Sequence, residues 1–293
     1  MSFTVNDALS QVAGRMGYDG VPNDTTEKAR WIMQCDDAQR SIIRKNLYWF
    51  TQTIKSLPTE SGVERYDLES DFREMIDVRI NGLRIEPITQ HEQSVSYNNS
   101  IVGIPFSPSS SRYRASYFLY GERELHIVPA PSAPPASQSV SGITRSGSTV
   151  TVTTTAEHGY NVDEFVTISG ADQTDYNQTV RIHAVPSTTT FTFIFTAGET
   201  PTTPATGTIL VIKRDLVYQY YKMPARLDAL TDTLLIPDLF FEGFVAYVKA
   251  RIDLRDSERG SASDGFDEFN TIIEDLDVEN NKRLWANVNI LSY

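Results

Sequence analysis

Four histidines and a single cysteine are the residues of this sequence that most often carry nucleophilic or metal chemistry. They are His91, His126, His158, His183 and Cys35. A nucleophile needs a base within hydrogen-bond reach and a third group that orients the base. None of these residues stands in a nucleophile, phosphate-binding or metal-ligand motif, and Cys35 lies on the apolar stripe of a predicted helix. The sequence therefore predicts a protein that is not an enzyme and that uses no metal or cofactor.

Carboxylates are concentrated near the C-terminus, where two of them could act as general acid and base on a sugar. The candidates are Asp264, Asp267, Glu268, Glu274, Asp275 and Asp277. Such a pair works at a fixed separation, which a sequence alone does not supply. Apolar residues in the same segment recur at helical spacing, so an acidic helix face turned to solvent is the simpler interpretation.

Two short clusters could bind ligands. The segment His158–Tyr160 could stack on a carbohydrate, but we favour a turn between two strands, with Gly159 at positive φ. Arg40, Arg44 and Lys45 could touch DNA. Their place in the last turns of a helix predicts instead that they complement the helix dipole or pair with neighbouring subunits.

The chain is acidic, with 293 residues, a formal charge of −12 and an isoelectric point near 4.8. Proteins that grip nucleic acid usually present a basic surface, so we expect a surface that repels passing DNA and does not bind it sequence-specifically. No run approaches the ~20 apolar residues of a membrane span, and no secretory signal is visible. One cysteine allows no internal disulfide, which fits synthesis in a reducing cytoplasm.

Helices are predicted at both ends of the chain, at residues 5–17, 25–47, 237–256 and 261–283. Asp24, with Glu27 three residues later, makes a capping-box pattern at the start of the second helix. Residues 284–293 mix apolar and polar side chains without helical order.

Strands are predicted between these helices. Alternation around Asn81-Gly82 predicts a hairpin over residues 77–85, and a second hairpin is predicted over residues 117–128, after a long polar loop. Residues 129–136 read as a Pro-rich linker. Residues 137–212 then lose helical periodicity and show short alternating runs rich in Thr, Ser and Val, which predicts a small all-β sandwich or barrel.

Together these elements predict an α+β fold with helical N- and C-terminal segments around β-hairpins and an inserted all-β, sandwich-like domain. The predicted core domain is discontinuous, comprising residues 1–136 and 213–283. The inserted domain covers residues 137–212, and an extended C-terminal tail covers residues 284–293.

Several motifs resemble the head-to-tail adaptor proteins of short-tailed bacteriophages. The most specific are Glu124–Pro131, a strand ending in Pro-x-Pro, and Leu216–Pro224, a Tyr-rich strand ending in Pro. Ile236–Asp238 resembles the family's acidic entry to two C-terminal helices, and the N-terminal helix that leads into Tyr48–Thr51 is also similar to the family's. Tyr66–Phe72 stands where the family has Leu-Pro-x-Asp-Phe, and here the proline is missing. The resemblance leaves out about residues 137–212, in which Val150–Tyr160, Val166–Gly170 and Asp175–Asn177 are similar to an immunoglobulin-like β module of phage structural proteins.

The resemblance implies a structural protein of the virion neck, assembled in the host bacterial cytoplasm. Its implied partners are the portal protein, tail nozzle or tail-hub proteins, further copies of itself in a ring of twelve, and passing double-stranded DNA. Such adaptors reach the portal with their C-terminus. That role would fall here to Trp285, Val288, Ile290, Leu291 and Tyr293, which are too apolar for a solvated tail.

Three alternatives stay open at this point. The C-terminal residues could be disordered or could pack on their own domain. The protein could be a receptor-binding or tail-fibre protein that grips host glycan with the β insert, although such proteins are mostly β throughout. It could also be a cell-wall hydrolase, a reading that no catalytic motif supports.

Overall fold

The computed structural model describes residues 3–89, 115–131, 135–195, 201–255 and 259–290, and it has the predicted α+β fold. Helices lie at both ends of the chain: α1 (Val5–Arg15), α2 (Thr25–Lys45), α3 (Phe241–Arg255) and α4 (Arg259–Ile290). Side chains of α4 are described for residues 261–283. The four helices share one buried core, in which Leu9, Ile42, Phe244 and Leu276 are almost completely buried.

The start of α2 shows how local sequence fixes a helix end. The Asp24 carboxylate accepts hydrogen bonds from the backbone N–H groups of Thr26 (3.0 Å) and Glu27 (2.9 Å), which confirms the predicted N-cap. The reciprocal half of the predicted capping box is not formed. Instead, the Glu27 carboxylate pairs with Arg30 (2.6 Å) and with Arg255 of α3 (2.9 Å).

The last helix is longer than the sequence predicts. A helix was expected to end near Arg283 and to be followed by an extended tail. The backbone of α4 remains helical to Ile290, so the expected lack of helical order is wrong for residues 284–290. Residues 291–293 lie outside the described part of the chain.

In the described part of the chain, fifteen strands lie between the helical ends. They are β1 (Gln52–Leu57), β2 (Arg65–Asp67), β3 (Phe72–Ile80), β4 (Leu83–Arg84), β5 (Glu86–Pro87), β6 (Ser116–Tyr120), β7 (Glu124–Val128), β8 (Gln138–Ser146), β9 (Thr149–Thr154), β10 (Phe165–Ala171), β11 (Thr179–Arg181), β12 (Ala184–Ser187), β13 (Thr190–Ile194), β14 (Gly207–Arg214) and β15 (Leu216–Lys222). They form two four-stranded sheets, ordered β1-β15-β3-β4 and β2-β7-β6-β5, and one seven-stranded sheet.

Both predicted hairpins are confirmed. Strands β3 and β4 are joined by Asn81 (φ +52°) and Gly82 (φ +79°), as a type I′ turn requires. Strands β6 and β7 pair from Ser116 opposite Val128 to Tyr120 opposite Glu124. The polar loop predicted between the hairpins lies almost wholly in residues 90–114, outside the described residues.

The region predicted as an inserted β domain holds the seven-stranded sheet, in the order β11-β10-β14-β8-β9-β13-β12. Strand β8 pairs with β14 at Gln138 and Ser139 and with β9 from Val140 onward, with an irregularity in the β9 pairing between Val140 and Gly142. The sheet therefore curls like half a barrel around a core that includes Val152, Phe191 and Val211. A sandwich of two separate sheets is not confirmed.

The chain leaves this sheet along β14 and enters β15 after one intervening residue, Asp215. Buried side chains alternate along both strands, as the two-residue period of a strand requires. They fall at Ile209 and Val211 in β14 and at Leu216 and Tyr218 in β15. The buried face thus changes from odd-numbered to even-numbered positions at the junction of β14 and β15, around Asp215, which we call the seam.

Two neighbouring side chains hold the seam in place. The buried Asp215 carboxylate accepts hydrogen bonds from the Thr59 backbone N–H (2.7 Å) and hydroxyl (2.6 Å). The Arg214 guanidinium donates to the Ser56 carbonyl (2.7 Å) and to the Thr167 hydroxyl on β10 (3.0 Å). The strand exit from the seven-stranded sheet is therefore fixed by the side-chain hydrogen bonds of Asp215 and Arg214.

The internal contacts divide the chain into two compact units. The first comprises Met1–Thr53, Asp71–Glu74 and Tyr221–Tyr293, and the second comprises Ile54–Ser70 and Met75–Tyr220. The helical core belongs to the first unit. The predicted division into a discontinuous core, an inserted domain and a tail stays a prediction.

Candidate partner-binding site

Helix α4 carries the predicted docking segment, and Asn280 anchors the part of the helix that precedes it. The Asn280 side chain is completely buried. Its amide donates to the Leu47 carbonyl (2.9 Å) and accepts from the Trp49 backbone N–H (3.1 Å). Because residues 47 and 49 follow α2, one amide satisfies both a donor and an acceptor of the irregular backbone there.

Asp277, one turn earlier, holds the same stretch of chain. Its carboxylate accepts hydrogen bonds from the Asn46 amide (3.2 Å) and the Tyr48 hydroxyl (3.0 Å). Burial, together with the negative charge of Asp277, raises the pKa of Tyr48 above its usual value. Tyr48 therefore stays a hydrogen-bond donor, and the contact persists at any physiological pH.

Arg283 is the last anchoring residue of α4 with a described side chain. Its guanidinium lies over the Trp49 ring, 4.5 Å from the centroid, and pairs with Glu279 one turn earlier (2.7 Å). Trp49 meets the Phe240 ring edge-on, with centroids 6.1 Å apart. These contacts fix the direction in which the helix runs on toward Ile290.

The predicted docking residues follow this anchor directly. Trp285, Val288 and Ile290 lie in the helical backbone of α4, whereas Leu291 and Tyr293 lie outside the described residues. The structure thus places three of the five on a helix that is held by its preceding turns. Their role in docking stays a prediction.

The basic residues at the end of α2 have separate roles. Arg40 pairs with Asp36 (2.8 Å), and the Lys45 ammonium lies 4.8 Å from the centroid of the Phe269 ring. Arg44 is exposed and has no ion-pair partner within the described ranges. Only part of this cluster is therefore committed to contacts within the chain.

Arg73, from β3, caps the C-terminus of α2. Its guanidinium donates to the carbonyl groups of Asn46 (2.9 Å), Arg44 (3.3 Å) and Ile43. A cation at the negative end of a helix also complements the helix dipole. Sequence reasoning missed Arg73 because a residue 27 positions after Asn46 gives no local signal.

The family model described as "SU10 adaptor protein" matches residues 3–290, which is nearly the whole chain. The chain belongs to the SU10 adaptor protein family. It is thus a phage adaptor-type protein and a component of the virion. No curated protein matches it.

In this SU10-family chain, His126, His158 and Cys35 are of residue types that can carry catalytic chemistry, but their contacts and burial point to structural roles. His126 lies 3.2 Å from the Glu124 carboxylate, and the Nδ1 atom of His158 accepts the Tyr160 backbone N–H (2.9 Å). Burial raises the pKa of the Cys35 thiol to about 12, which disfavours a reactive thiolate. Among the described residues, which exclude His91, no three His, Cys, Asp or Glu side chains gather in a way that could hold a metal.

Two further predictions concern the turn at Gly159 and the acidic helix. Gly159 has φ +62°, as expected for the turn between strands. Asp264, Asp267, Glu274 and Asp275 are exposed on α4, which confirms the acidic face of the SU10-family chain. None of the helices in the described ranges is long and apolar enough to cross a membrane.

Proposed function

We propose that this protein is a head-to-tail adaptor that forms a ring in the neck of a short-tailed phage. In this role twelve copies join the portal to the tail nozzle or hub, and packaged DNA passes through the ring. The protein has a mechanical role and is not an enzyme. The observation that carries this proposal is the match of the SU10 adaptor family over residues 3–290.

The C-terminal helix supports a docking role for the end of the chain. Asp277, Asn280 and Arg283 hold α4 on residues 46–49, and the helix then continues to Ile290. A pre-ordered helix loses less conformational entropy on binding than a free tail would. In the proposed neck, residues 284–293 bind the portal through Trp285, Val288, Ile290, Leu291 and Tyr293, and twelve such contacts add up by multivalency.

The overall charge of −12 suits a ring that conducts DNA without holding it. A wall of net negative charge repels the phosphate backbone, so DNA would pass without stable binding. The curled β region, in this proposal an immunoglobulin-like module, would face the tail components or solvent.

The test is the mass of the protein, alone and mixed with the cognate portal, measured by light scattering. We expect a stable complex with about one adaptor per portal subunit, and we expect its loss when residues 284–293 are deleted. In a sharper variant, serine replaces the five apolar residues of the segment, Trp285, Val288, Ile290, Leu291 and Tyr293.

A matched control changes the polar residues of the same segment, Asn287, Asn289 and Ser292, to alanine. This control should bind the portal like the wild type because it keeps every apolar contact. A protein that trimerises alone and ignores the portal would contradict the adaptor role and favour receptor binding through the β region.

A further inference from the structure

A groove of about 1150 Å³ runs along the outer side of α2. One wall is α2 itself from Thr25 to Arg44, and the other is the segment Arg226–Asp228. Met33 lies in the groove and is 51% exposed. The groove is thus an open surface that is partly apolar.

The groove is lined by more positive than negative side chains, although the whole protein has a net negative charge. Five cations line it, Lys28, Arg30, Arg40, Arg44 and Arg226, against three carboxylates, Asp36, Asp37 and Asp228. Arg30, Arg40 and Arg226 already have carboxylate partners within the chain. Lys28 and Arg44 have no ion-pair partner in the parts of the chain that the structure describes. They stand at the two ends of the groove, about 24 Å apart along the helix.

The exposed face of α4 has the opposite charge. Asp264, Asp267, Glu274 and Asp275 lie on it, and none has an ion-pair partner among the described residues. They span about 17 Å along the helix, which is shorter than the separation of about 24 Å between the two free cations in the groove. Val278 follows on the same face and is 53% exposed. Each surface therefore combines unpaired charge of one sign with an exposed apolar residue.

We infer that the groove along α2 receives the acidic face of α4 from a second copy of the chain. The two surfaces belong to one compact unit, yet they form no ion pair with each other inside it. A contact between two different surfaces is heterologous, so each copy keeps one free groove and one free face for the next copies. Such a contact closes into a ring when its rotation allows. The inference rests on the proposed adaptor ring and names the surfaces that join its subunits.

A protein helix fits this groove better than DNA does. Duplex DNA presents about one phosphate charge per 1.7 Å, so bound DNA would place phosphates against Asp36, Asp37 and Asp228. A helix face with a few spaced carboxylates can place them against Lys28 and Arg44. The three acidic residues of the groove then lie opposite neutral residues of that helix. Charge complementarity of this kind sets register and partner choice.

The test reverses the charge on each surface separately. One variant carries Lys28→Glu and Arg44→Glu in the groove, and another carries Glu274→Lys and Asp275→Lys on α4. Native mass spectrometry then counts the adaptor copies per portal as the adaptor concentration is raised. Each variant should bind portal singly but need at least about tenfold more protein to fill the ring, because like charges then face each other. A chain with all four changes restores opposite charges and should fill the ring like the wild type.

The control for the groove variant reverses two cations elsewhere on the surface, Arg123→Glu and Arg181→Glu, and lowers the net charge by the same amount as the groove variant does. Thermal unfolding of all variants checks that they fold. The inference is wrong if the groove and face variants fill the ring as the control does, or if the four-fold variant fails while both two-fold variants work. It is also wrong if the groove variant fills the ring normally and loses only the ability to retain double-stranded DNA.

Failure of the proposed function is recognised separately. Wild-type protein that never binds portal contradicts the adaptor role but leaves self-association open. Carbodiimide, which couples amines to carboxylates, is therefore applied to the protein alone at high concentration. A cross-link between Lys28 of one copy and an α4 carboxylate of another, in a ladder that runs past the dimer, supports the inference. Absence of that cross-link overturns it.

Discussion

Replacing Asn280 by alanine tests whether the buried amide holds the C-terminal helix in place. The change removes the partners of the Leu47 carbonyl and the Trp49 N–H, which the side chain satisfies at 2.9 and 3.1 Å. A buried backbone group left without a partner costs about 1–3 kcal/mol. Alanine offsets about 0.5 kcal/mol of this through its higher helix propensity. Two such groups cost about 2–6 kcal/mol together, so after this offset we expect a loss of about 1.5–5.5 kcal/mol in the free energy of unfolding.

The matched control is Asn281→Ala, the same change at the next residue of the helix, where the side chain is exposed. It removes no buried hydrogen bond, so stability should stay the same or rise by about 0.5 kcal/mol. Urea unfolding followed by tryptophan fluorescence is the suitable assay, because Trp31, Trp49 and Trp285 all belong to the helical unit. Equal midpoints for the two variants would refute the anchoring role of Asn280.

Three further predictions concern single side chains. Arg73→Met should lower the free energy of unfolding by about 1–3 kcal/mol, because three carbonyl groups lose a charged donor. The control Arg65→Met, at an exposed position of a strand, should leave the free energy of unfolding unchanged. Urea unfolding midpoints compare the two variants, and equal losses would show that Arg73 does not cap the helix. Burial opposes ionisation of Glu164, but the hydrogen bonds from Lys213 and Asn161 and the charge of Lys213 together outweigh it and hold the pKa of Glu164 below the usual 4.5. The stabilising effect of the ionised Glu164 is therefore present above that pH and disappears as the pH falls through the lowered value. Thermal unfolding should thus show the advantage of wild type over Glu164→Gln shrinking on acidification, and an advantage independent of pH would contradict this. Cys35, with its pKa raised to about 12, should react with a thiol reagent only after unfolding, and rapid labelling of the folded protein would show that its burial is wrong.

Local signals predicted most of the elements correctly. Asp24 caps α2 because an N-cap acts over three residues, and Asn81-Gly82 forms its turn because positive φ is a property of those two residues. The periodicity of apolar residues placed the helices at both ends of the chain. These features depend on neighbours in sequence, so the sequence alone reveals them.

Features that depend on distant partners were missed. Arg73 caps a helix from another element, and Asn280 reads simply as one polar residue in a polar helix. The helix was predicted to end near Arg283 because the apolar spacing becomes irregular there, yet the backbone stays helical to Ile290. The candidate docking segment was therefore found by its composition, but its conformation was predicted wrongly.

The seam at Asp215 constrains which changes of chain length the junction between β14 and β15 can accept. Val211 and Leu216 are both buried and lie five positions apart, an odd step that moves the buried positions from odd numbers in β14 to even numbers in β15. Loss or gain of a single codon here would make the step even and turn Tyr218 and Tyr220 outward. Insertions or deletions at this junction therefore keep both strands correctly buried only when they change the length of the chain by an even number of residues.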